Sequence, residues 1–455
     1  MPAGLTGLKF ALAQDNDQSM KRNRFSEGQI IESLKEHEAG VSEPDRCRKH
    51  VVSDNSIHTW PSAQPEAVGV SPERLSRIRA VLQQEVDAER MPGAVVMITR
   101  RGNLIYSEAV GFLDKAAGKP MTEDAIFRLC SMTKPLASVG AMMLVEEGKV
   151  QLNDHVSKFL PELAKMDVLA TDKDGKTTRE PAKRRMTIHD LFRHTAGLTY
   201  GKFSKIPEIK AAYTETNLLI EPSRLITPEQ FTAGIAKAPL VREPGTTFEY
   251  GLAVDVLGHV VEAVSGQRLS AFLDERLFRP LKMADTGFKV PQANWTRIAE
   301  PLRKEEQFLD MKIDPSNDLA GEGGVSTAAD YLRFCQMMLN GGTLDGRRYL
   351  SPTTVKLMTS DHLGNRPGVP ASPGISLMGL DGYTFGLGFL VRQGPGLAGV
   401  PGSEGEYMLA GYGGTFFWID PTEQLAVVFM AQTPGSTRTY YYRMIKALVA
   451  QALGN

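Results

Sequence analysis

The order of apolar and polar positions along the chain predicts a sheet that is interrupted by a long helical region. Apolar residues fill most of positions 94–99 after Gly93 and predict a strand, and the turn at 101–103 returns the chain into a second strand. From residue 131 to about residue 375, apolar residues recur at helical spacing instead. Strands are predicted again towards the end of the chain, at Tyr383–Val391, Glu406–Ala410, Thr415–Ile419 and Leu425–Ala431.

Capping residues mark where several helices begin. Serine or threonine accepts the first free amides of a helix, and proline fits its first position. Such starts occur at Ser71-Pro72, Thr187, Thr227-Pro228, Thr327 and Ser351-Pro352. The helix from Thr187 is expected to end at Gly197, residues 364–374 predict a long loop, and Thr437–Leu453 predicts a closing helix.

The layout predicts an α/β plus all-α fold class. Residues 63–130 and 376–455 form the predicted α/β domain, whose antiparallel sheet is completed by both ends of the chain. Residues 131–375 form the predicted helical domain, and residues 1–62 an N-terminal extension that is not expected to be catalytic. A cleft between two such domains is a common place for a ligand site.

Composition and charge narrow the expected partners. The 455 residues carry a net charge of −1, so neither nucleic acid nor an anionic membrane is expected as a partner. No apolar run reaches the roughly 18 residues that span a bilayer, and Lys9 interrupts Leu5–Ala13, so no signal peptide is expected. The three cysteines, Cys47, Cys130 and Cys335, are far apart and odd in number, which favours a reducing compartment and a cytoplasmic location.

Residues 21–60 differ from the rest of the chain. They are rich in charge, predict short helices, and resemble the helix-turn-helix at the start of insertion-sequence transposases. The resemblance rests on Arg24-Phe25-Ser26-Glu27-Gly28-Gln29-Ile30-Ile31 and on Cys47-Arg48-Lys49-His50. It departs at Val51, where that family usually has glycine, and the third helix is degenerate, whereas DNA recognition needs a complete helix. We interpret the segment as a non-catalytic remnant, with DNA binding through residues 21–60 as the alternative.

Ser131-Met132-Thr133-Lys134 is the strongest candidate for chemistry. A serine and a lysine three residues apart lie on one face of a helix, where the lysine amine can take the serine proton. This reaction needs a neutral lysine, whose pKa burial or a cationic neighbour would lower. A motif this short recurs by chance, so its catalytic role depends on whether the partner residues are also present. Cys130 is interpreted as a small buried side chain behind the serine rather than as a reactive thiol.

Tyr250 is the candidate partner of this pair. Pro244-Gly245 predicts a turn, and Tyr250 stands just before a helix predicted at Ala253–Val264. A tyrosine near a cation can share the serine proton. The alternative is a tyrosine that only packs at the helix start.

An acyl-transfer site also needs hydrogen-bond donors for the oxyanion that forms during attack. The Ser131 amide, at a helix N-terminus, is one candidate. Glycines let a strand approach another group closely, so residues 411–415 predict a strand edge with the Thr415 amide as the second donor. An ordinary bulge or turn at Gly413-Gly414 is the alternative.

Together these motifs resemble the serine β-lactamase and penicillin-binding-protein superfamily, and within it the class C-like branch called family VIII carboxylesterases. The resemblance runs from about residue 65 to residue 452. It rests on motifs in the family's order: Phe127 to Lys134, Glu147 to Asp154, His194-Thr195-Ala196-Gly197-Leu198, Pro244-Gly245 before Tyr250, Gly323-Gly324-Val325-Ser326-Thr327 and Tyr412-Gly413-Gly414. It implies a β-lactamase-like fold, in which N- and C-terminal helices flank the sheet and a helical domain is inserted.

The resemblance also implies a role for each candidate. Ser131 is implied as the nucleophile, Lys134 as the acceptor of its proton, and Tyr250 as the residue that relays protons to and from the leaving group. The amides of Ser131 and Thr415 are implied as the oxyanion hole. No metal or organic cofactor is required, and His189 and His194 are expected to be structural hydrogen-bonders.

Two departures from β-lactamases bear on the substrate. Leu252 stands where those enzymes have asparagine, and Tyr412-Gly413-Gly414 replaces their Lys-Thr-Gly. Loss of an amide and a cation weakens recognition of an anionic lactam, and an aromatic residue favours a neutral acyl group. Met132 and residues 200–220 are expected to border the pocket.

The expected function is therefore that of a serine carboxylesterase, which hydrolyses short-chain acyl esters of small molecules through an acyl-enzyme. A β-lactamase, a D-amino-acid peptidase or an acyltransferase on the same scaffold is the alternative within enzymes. An inactive binding relative is a further alternative, but the intact Ser131, Lys134 and Tyr250 argue against it. No Gly-x-Ser-x-Gly elbow occurs, so the sequence does not support an α/β-hydrolase.

Overall fold

The computed structural model of this protein describes residues 60–171, 177–303, 309–364 and 373–454. The chain divides into two units after His58, and all described residues belong to the second. The predicted extension and its transposase-like segment lie outside the described residues, apart from residues 60–62.

The strands of the described residues fall into one large sheet and three short pairs. They are β1 Gly93–Arg100, β2 Asn103–Asp114, β3 Lys119–Pro120, β4 Phe127–Arg128, β5 Asp167–Thr171, β6 Thr177–Pro181, β7 Val325–Ser326, β8 Thr343–Leu344, β9 Arg347–Arg348, β10 Tyr383–Phe385, β11 Leu390–Arg392, β12 Tyr407–Ala410, β13 Phe416–Asp420 and β14 Leu425–Ala431. The short pairs are β4 with β7, β5 with β6 and β8 with β9.

The helices lie mostly between β4 and β10 in sequence. They are α1 Pro72–Asp87, α2 Thr133–Glu146, α3 Ile188–Phe192, α4 Pro207–Glu215, α5 Ile220–Ser223, α6 Pro228–Lys237, α7 Ala253–Ser265, α8 Leu269–Leu273, α9 Ala328–Leu339, α10 Pro352–Met358, α11 Pro373–Met378 and α12 Arg438–Ala450. Short 3₁₀ turns occur at Pro65–Val68, Cys130–Met132, Val156–Lys158, Pro161–Ala164 and Gln292–Arg297, and a π-turn at Asp274–Phe278. Within the described ranges, no helix combines the length and the apolar character needed to cross a bilayer.

The large sheet joins the two ends of the second unit, Thr59–Asn455. Its strand order is β10-β11-β12-β13-β14-β1-β2-β3, and neighbouring strands run antiparallel. Ala94 pairs with Ala431 of the last strand and with Val110 of the second, so β1 lies between the early and the late parts of the chain. Helices α1 and α12 contact each other, α1 packs on β1 and β2, and α9 packs on β1, β13 and β14. Every residue of β1 and β14 is buried as a result.

The predicted helix starts are confirmed. The side chains of Ser71, Thr187, Thr227, Thr327 and Ser351 each accept the amide of the third residue after them. At Thr187 and Thr227 the third residue also returns a bond to the cap, which completes a capping box.

Three element predictions were wrong in their bounds. The helix after Thr187 ends at Phe192 and not at Gly197, because His194 has the left-handed φ of 55° that ends a helix. The single strand predicted at Tyr383–Val391 is two paired strands, β10 and β11, since residues 386–389 form the turn between them. The loop predicted at 364–374 lies mostly outside the described residues, and α11 already begins at Pro373.

Candidate active site

A cavity of about 660 Å³ lies beside Ser131. Its wall is formed by the segment around Tyr200, by the approach to α7 at residues 241–250, by Glu322, and by the end of β12. Ser131, Tyr250 and Tyr412 all line it, so the structure brings together three of the residues that the sequence singles out.

The chain turns sharply to present Ser131. Strands β4 and β7 pair just before it, and the Leu129 amide donates to the Gly324 carbonyl at 2.9 Å. Cys130 then takes a left-handed φ of 49°, which costs a non-glycine residue on the order of 1–3 kcal/mol. The 3₁₀ turn Cys130–Met132 leads directly into α2, and Ser131 keeps 7% of its surface exposed.

Cys130 lies behind the nucleophile, as the sequence predicts. Its side chain is fully buried, and burial raises the pKa of its thiol, so the group is a neutral thiol. A buried neutral thiol is a poor nucleophile.

Lys134 is fully buried and makes three hydrogen bonds through its amine. Its Nζ donates to Ser131 Oγ at 3.1 Å, to the Tyr200 hydroxyl at 2.9 Å and to the Gly321 carbonyl at 2.7 Å. An ammonium group has three N–H donors, and these three acceptors use all of them. The geometry therefore suits a protonated lysine.

The electrostatic surroundings of Lys134 differ from the expected ones. Burial lowers its pKa, but the charges of Tyr250, Glu322 and Asp255 act in the opposite direction, and the pKa lies above its ordinary value. The sequence led us to expect a lysine whose pKa is lowered by burial or a cation. The groups whose charges raise its pKa, Tyr250, Glu322 and Asp255, all lie far from Lys134 in the sequence.

Tyr250 lies across from Lys134 and borders the cavity. The Lys134 ammonium is 4.8 Å from the centroid of its ring. The segment before α7 is held by backbone bonds to the turn at His194: the Glu249 amide donates to the His194 carbonyl at 2.8 Å, and the Gly245 amide to the Thr195 carbonyl at 2.6 Å. These bonds place Tyr250 against Lys134.

His194 supports Tyr250, as expected of a structural histidine. Its ring centroid lies 4.4 Å from that of Tyr250, and its Nδ1 accepts the Gly251 amide at 3.4 Å. Burial, followed by the charge of Lys134, lowers its pKa well below the usual range, so the ring is neutral. His189 bonds to His362 Nδ1 at 2.8 Å.

Tyr200 is a second tyrosine of the site that the sequence did not single out. Its hydroxyl accepts from Lys134 and donates to the Glu322 carboxylate. Burial and the charge of Glu322 raise its pKa, so it is a neutral phenol. Residues 200–220 were expected to border the pocket, without a role for Tyr200 in particular. The one sequence signal that could have placed Tyr200 near Lys134 is the turn predicted after His194.

The glycine-rich segment 411–415 is a hairpin turn and not the predicted strand edge. Strand β12 ends at Ala410 and β13 begins at Phe416. The Gly411 amide donates to the Thr415 carbonyl at 2.8 Å, and the Gly414 amide to the Gly411 carbonyl at 3.1 Å. These bonds close the turn, in line with the alternative interpretation.

The predicted site residues of this hairpin turn do not all border the cavity. Thr415 is fully buried and its Oγ1 donates to the Leu129 carbonyl at 3.1 Å, while the Gly413 carbonyl accepts the Thr433 amide at 2.7 Å. The side chain of Thr415 thus contacts Leu129 and Gly413 contacts Thr433, and neither residue lines the cavity, nor does Gly414. The side of this edge that borders the cavity consists of Leu409, Ala410 and Tyr412.

Met132 and Leu252 also lie outside the cavity lining. Their exposed fractions are 0% and 2%, and the Met132 carbonyl accepts the Tyr331 hydroxyl at 2.8 Å. Both side chains pack in the core next to catalytic-site residues rather than in the pocket.

Cationic and aromatic side chains surround the cavity mouth. The Arg438 guanidinium lies 5.0 Å from the centroid of the Tyr412 ring, and Phe203 is 54% exposed at 5.9 Å from the same ring. Lys202, Lys205 and Arg242 complete the basic part of the lining.

Known families match both parts of the chain. The beta-lactamase family model matches residues 78–451, and a transposase family model matches residues 20–91. The second match includes the segment 21–60, which confirms that resemblance. It also extends into α1, which packs on the large sheet.

Individual relatives match most of the chain. Protein Rv1367c of Mycobacterium tuberculosis is 37% identical over 78% of this chain and 89% of its own length. Esterase EstB of Burkholderia gladioli is 29% identical over 82% of this chain and 95% of its own length. Among solved structures, EstCE1, a hydrolase with promiscuous acyltransferase activity, has a TM-score of 0.68 and 29% identity over 83% of this chain and 98% of that one. The chain therefore belongs to the beta-lactamase family and is a serine hydrolase with the beta-lactamase-like fold that its sequence predicts.

Proposed function

We propose that the protein is a serine carboxylesterase that hydrolyses short-chain acyl esters of small molecules. The observation that carries the proposal is the hydrogen bond of 3.1 Å between Lys134 Nζ and Ser131 Oγ at the floor of an open cavity. A serine hydroxyl is a poor nucleophile without such a partner. The similarity to EstB, an esterase, and to EstCE1, a hydrolase, supports the choice of reaction.

The proposed reaction has two acyl-transfer steps. Ser131 Oγ attacks the ester carbonyl and loses its proton to the amine of Lys134, once Lys134 has given up a proton of its own. Tyr250 passes that proton to the leaving alcohol as the C–O bond breaks, which leaves an acyl group on Ser131. Water then attacks the acyl-enzyme, and the same groups accept its proton and return one to Ser131.

The second oxyanion donor is proposed to be the amide of Thr415, as the resemblance implies. A Cβ atom at Gly411 would lie 2.2 Å from the Leu129 carbonyl oxygen, so Gly411 packs against the turn that presents Ser131. Thr415 Oγ1 donates to the same carbonyl at 3.1 Å, which holds Thr415 beside that turn. The Ser131 amide remains the first proposed donor.

The lining supports an ester rather than a lactam as the substrate. Leu252 is buried and offers no amide to the pocket, and Leu409 and Ala410 give the end of β12 an apolar surface. These residues suit a short acyl chain. A β-lactamase or D-amino-acid peptidase remains the rival on this scaffold, and the promiscuous acyltransferase activity of EstCE1 favours acyl transfer as an accompanying activity.

Two assays with wild type and Ser131→Ala test the proposal. We expect p-nitrophenyl butyrate to be hydrolysed with a higher kcat/KM than a chromogenic cephalosporin, and Ser131→Ala to abolish both activities. Faster turnover of the cephalosporin would contradict the proposal that esters are the preferred substrates. Ester hydrolysis that survives in Ser131→Ala would contradict the proposed mechanism.

A further inference from the structure

Glu322 is a carboxylate inside the candidate active site that no step of the proposed reaction uses. It lines the same cavity as Ser131, and only 4% of its surface is exposed. A charged side chain is rarely buried to this degree unless a partner compensates its charge. The position of Glu322 therefore needs a reason.

The backbone around Glu322 is held firmly. The amides of Glu322 and Gly323 both donate to the Leu319 carbonyl, at 3.2 Å and 2.8 Å. The next amide, of Gly324, donates to Thr133 Oγ1 at 2.9 Å, on the first turn of α2. The turn that carries Glu322 is thus tied to the helix that carries Lys134.

A continuous chain of hydrogen bonds joins the nucleophile to Glu322. Lys134 Nζ donates to Ser131 Oγ at 3.1 Å and to the Tyr200 hydroxyl at 2.9 Å. The Tyr200 hydroxyl in turn donates to the Glu322 carboxylate. Tyr200 is buried within this chain, so its hydroxyl links the cation to the carboxylate.

Other groups also face Lys134. Asp255, on α7, accepts the Gly321 amide at 2.8 Å through one carboxylate oxygen, and burial raises its pKa to about 7. Tyr250 lies across the amine, while His194 and the Cys130 thiol, both near Lys134, are neutral. Burial favours the neutral form of Asp255 up to about pH 7.

We propose that Glu322 is a positioning residue: through Tyr200 it holds Lys134 as an ammonium ion, with its three donors directed to Ser131, Tyr200 and Gly321. This inference rests on the proposed function, since it concerns the residue that takes the serine proton. In this role Glu322 sets the pH at which Lys134 becomes a base. It does not contact the reacting atoms.

The consequence is a defined pH dependence. Ester hydrolysis requires Lys134 to lose a proton, so kcat/KM rises with pH along an acidic limb that reports the pKa of Lys134 in the free enzyme. The negative charge of Glu322 raises that pKa and moves the limb to higher pH. Removing the charge therefore moves the limb to lower pH.

The test measures kcat/KM for p-nitrophenyl butyrate from about pH 5 to about pH 10 with the full chain. Because the pKa of Lys134 is raised above its ordinary value, this range falls on the rising limb, and the position of the limb is read as kcat/KM at a fixed pH. The variants are Glu322→Gln, which removes the charge, and Glu322→Asp, which keeps it. Glu249→Gln is the matched control, because Glu249 is a half-buried carboxylate of the same cavity that accepts Thr199 Oγ1 at 2.7 Å. Tyr200→Phe, which removes the linking hydroxyl, is the second test variant if Glu322→Gln does not fold.

We expect the limb of Glu322→Gln to move down by about one pH unit or more, which is about tenfold in kcat/KM at a fixed pH on the limb. Tyr200→Phe is expected to move it in the same direction, whereas Glu322→Asp and Glu249→Gln are expected to leave the limb in place. A Glu322→Gln profile whose kcat/KM is no higher than that of the wild type at any pH on the limb overturns the proposal. Activity that survives in Ser131→Ala would instead overturn the proposed function. That outcome is measured with a different variant, so the two failures can be told apart.

Discussion

At the scale of the residue, the site depends on how one buried amine is surrounded. Lys134 donates to Ser131, Tyr200 and Gly321, and the charges of Tyr250, Glu322 and Asp255 keep its pKa high. A buried amine without such neighbours would lose its proton, because desolvation disfavours the charged form. Under the proposed mechanism, Lys134 is therefore a cation at rest and must lose a proton before it can accept the one from Ser131.

The two tyrosines of the site are expected to respond differently to loss of the hydroxyl. Tyr250→Phe removes the proposed proton relay to the leaving group, and we predict a loss in kcat of about 100- to 10,000-fold. Tyr200→Phe leaves the relay in place and is predicted to keep kcat within about tenfold of wild type. Steady-state kinetics with p-nitrophenyl butyrate measure both. The reverse order of losses would contradict the assignment of the relay to Tyr250.

Asp255 is predicted to make folding stability fall as pH rises. Its pKa in the folded protein, about 7, lies above the ordinary value because the group is buried, so the folded state binds its proton more tightly than the unfolded state. The stability this provides is complete below about pH 4 and is lost as pH rises through about 7, by a few kcal/mol. Urea unfolding of wild type and Asp255→Asn at several pH values tests this. A difference between the two proteins that does not change with pH would contradict it.

The residues of the site could be predicted only where they share a short segment. Ser131 and Lys134 are three positions apart, so helix geometry alone places them together. Tyr200 and Glu322 reach Lys134 from segments 66 and 188 positions away, and no local pattern encodes that approach. The sign of the Lys134 pKa shift was missed for the same reason.

At the scale of the element, the starts of helices were predicted correctly from their capping residues, whereas the hairpin turn at residues 411–415 was not. A cap is decided within four residues, so Thr187 and Thr227 could be assigned from sequence. The segment 411–415 could form either a strand edge or a turn, and the choice depends on its pairing with Thr433 and Leu129. The role of the Thr415 amide remains a prediction, since the position of this turn is set by the whole sheet.

The buried capping box at α3 is predicted to contribute more stability than the exposed one at α6. Asp190 is fully buried, accepts from Thr187 and Thr195, and pairs with Arg184 and Arg193. Burial raises its pKa, but these hydrogen bonds and charges prevail and the pKa is lowered, so its stabilisation is present at neutral pH and is lost in acid.

Asp190→Asn is therefore expected to lower the free energy of unfolding by about 3–5 kcal/mol at neutral pH. Thr227→Ala, in the capping box of α6, is the comparison and is expected to cost about 1 kcal/mol. Urea unfolding monitored by circular dichroism gives both values. If Asp190→Asn costs no more than Thr227→Ala, the network around Asp190 does not stabilise the fold as argued.

At the scale of the whole molecule, the sequence predicted the sheet that both ends of the second unit complete, because hydrophobic strands before residue 131 and after residue 380 need each other to be buried. The division into an α/β part and a helical part remains a prediction. The cavity lies where the end of β12 faces residues from the helical region, which is the place that the layout suggested.

Deletion of residues 1–58 is predicted to leave ester hydrolysis intact. All proposed site residues lie in the second unit, Thr59–Asn455. We expect kcat/KM of the shortened chain to stay within about twofold of the full chain, as for a domain with its own core. Salt-dependent DNA binding by the full chain that is lost on deletion would instead support the DNA-binding alternative for residues 21–60.

The most direct test of the account is to locate the acyl group during turnover. The full-length protein is mixed with p-nitrophenyl butyrate, quenched in acid within the first turnovers, digested and mapped by mass spectrometry, with Ser131→Ala treated in the same way. The account predicts a butyryl group on Ser131 in the wild type and no butyryl adduct in Ser131→Ala. A butyryl group on another residue, or hydrolysis by the wild type with Ser131 never modified, would contradict it.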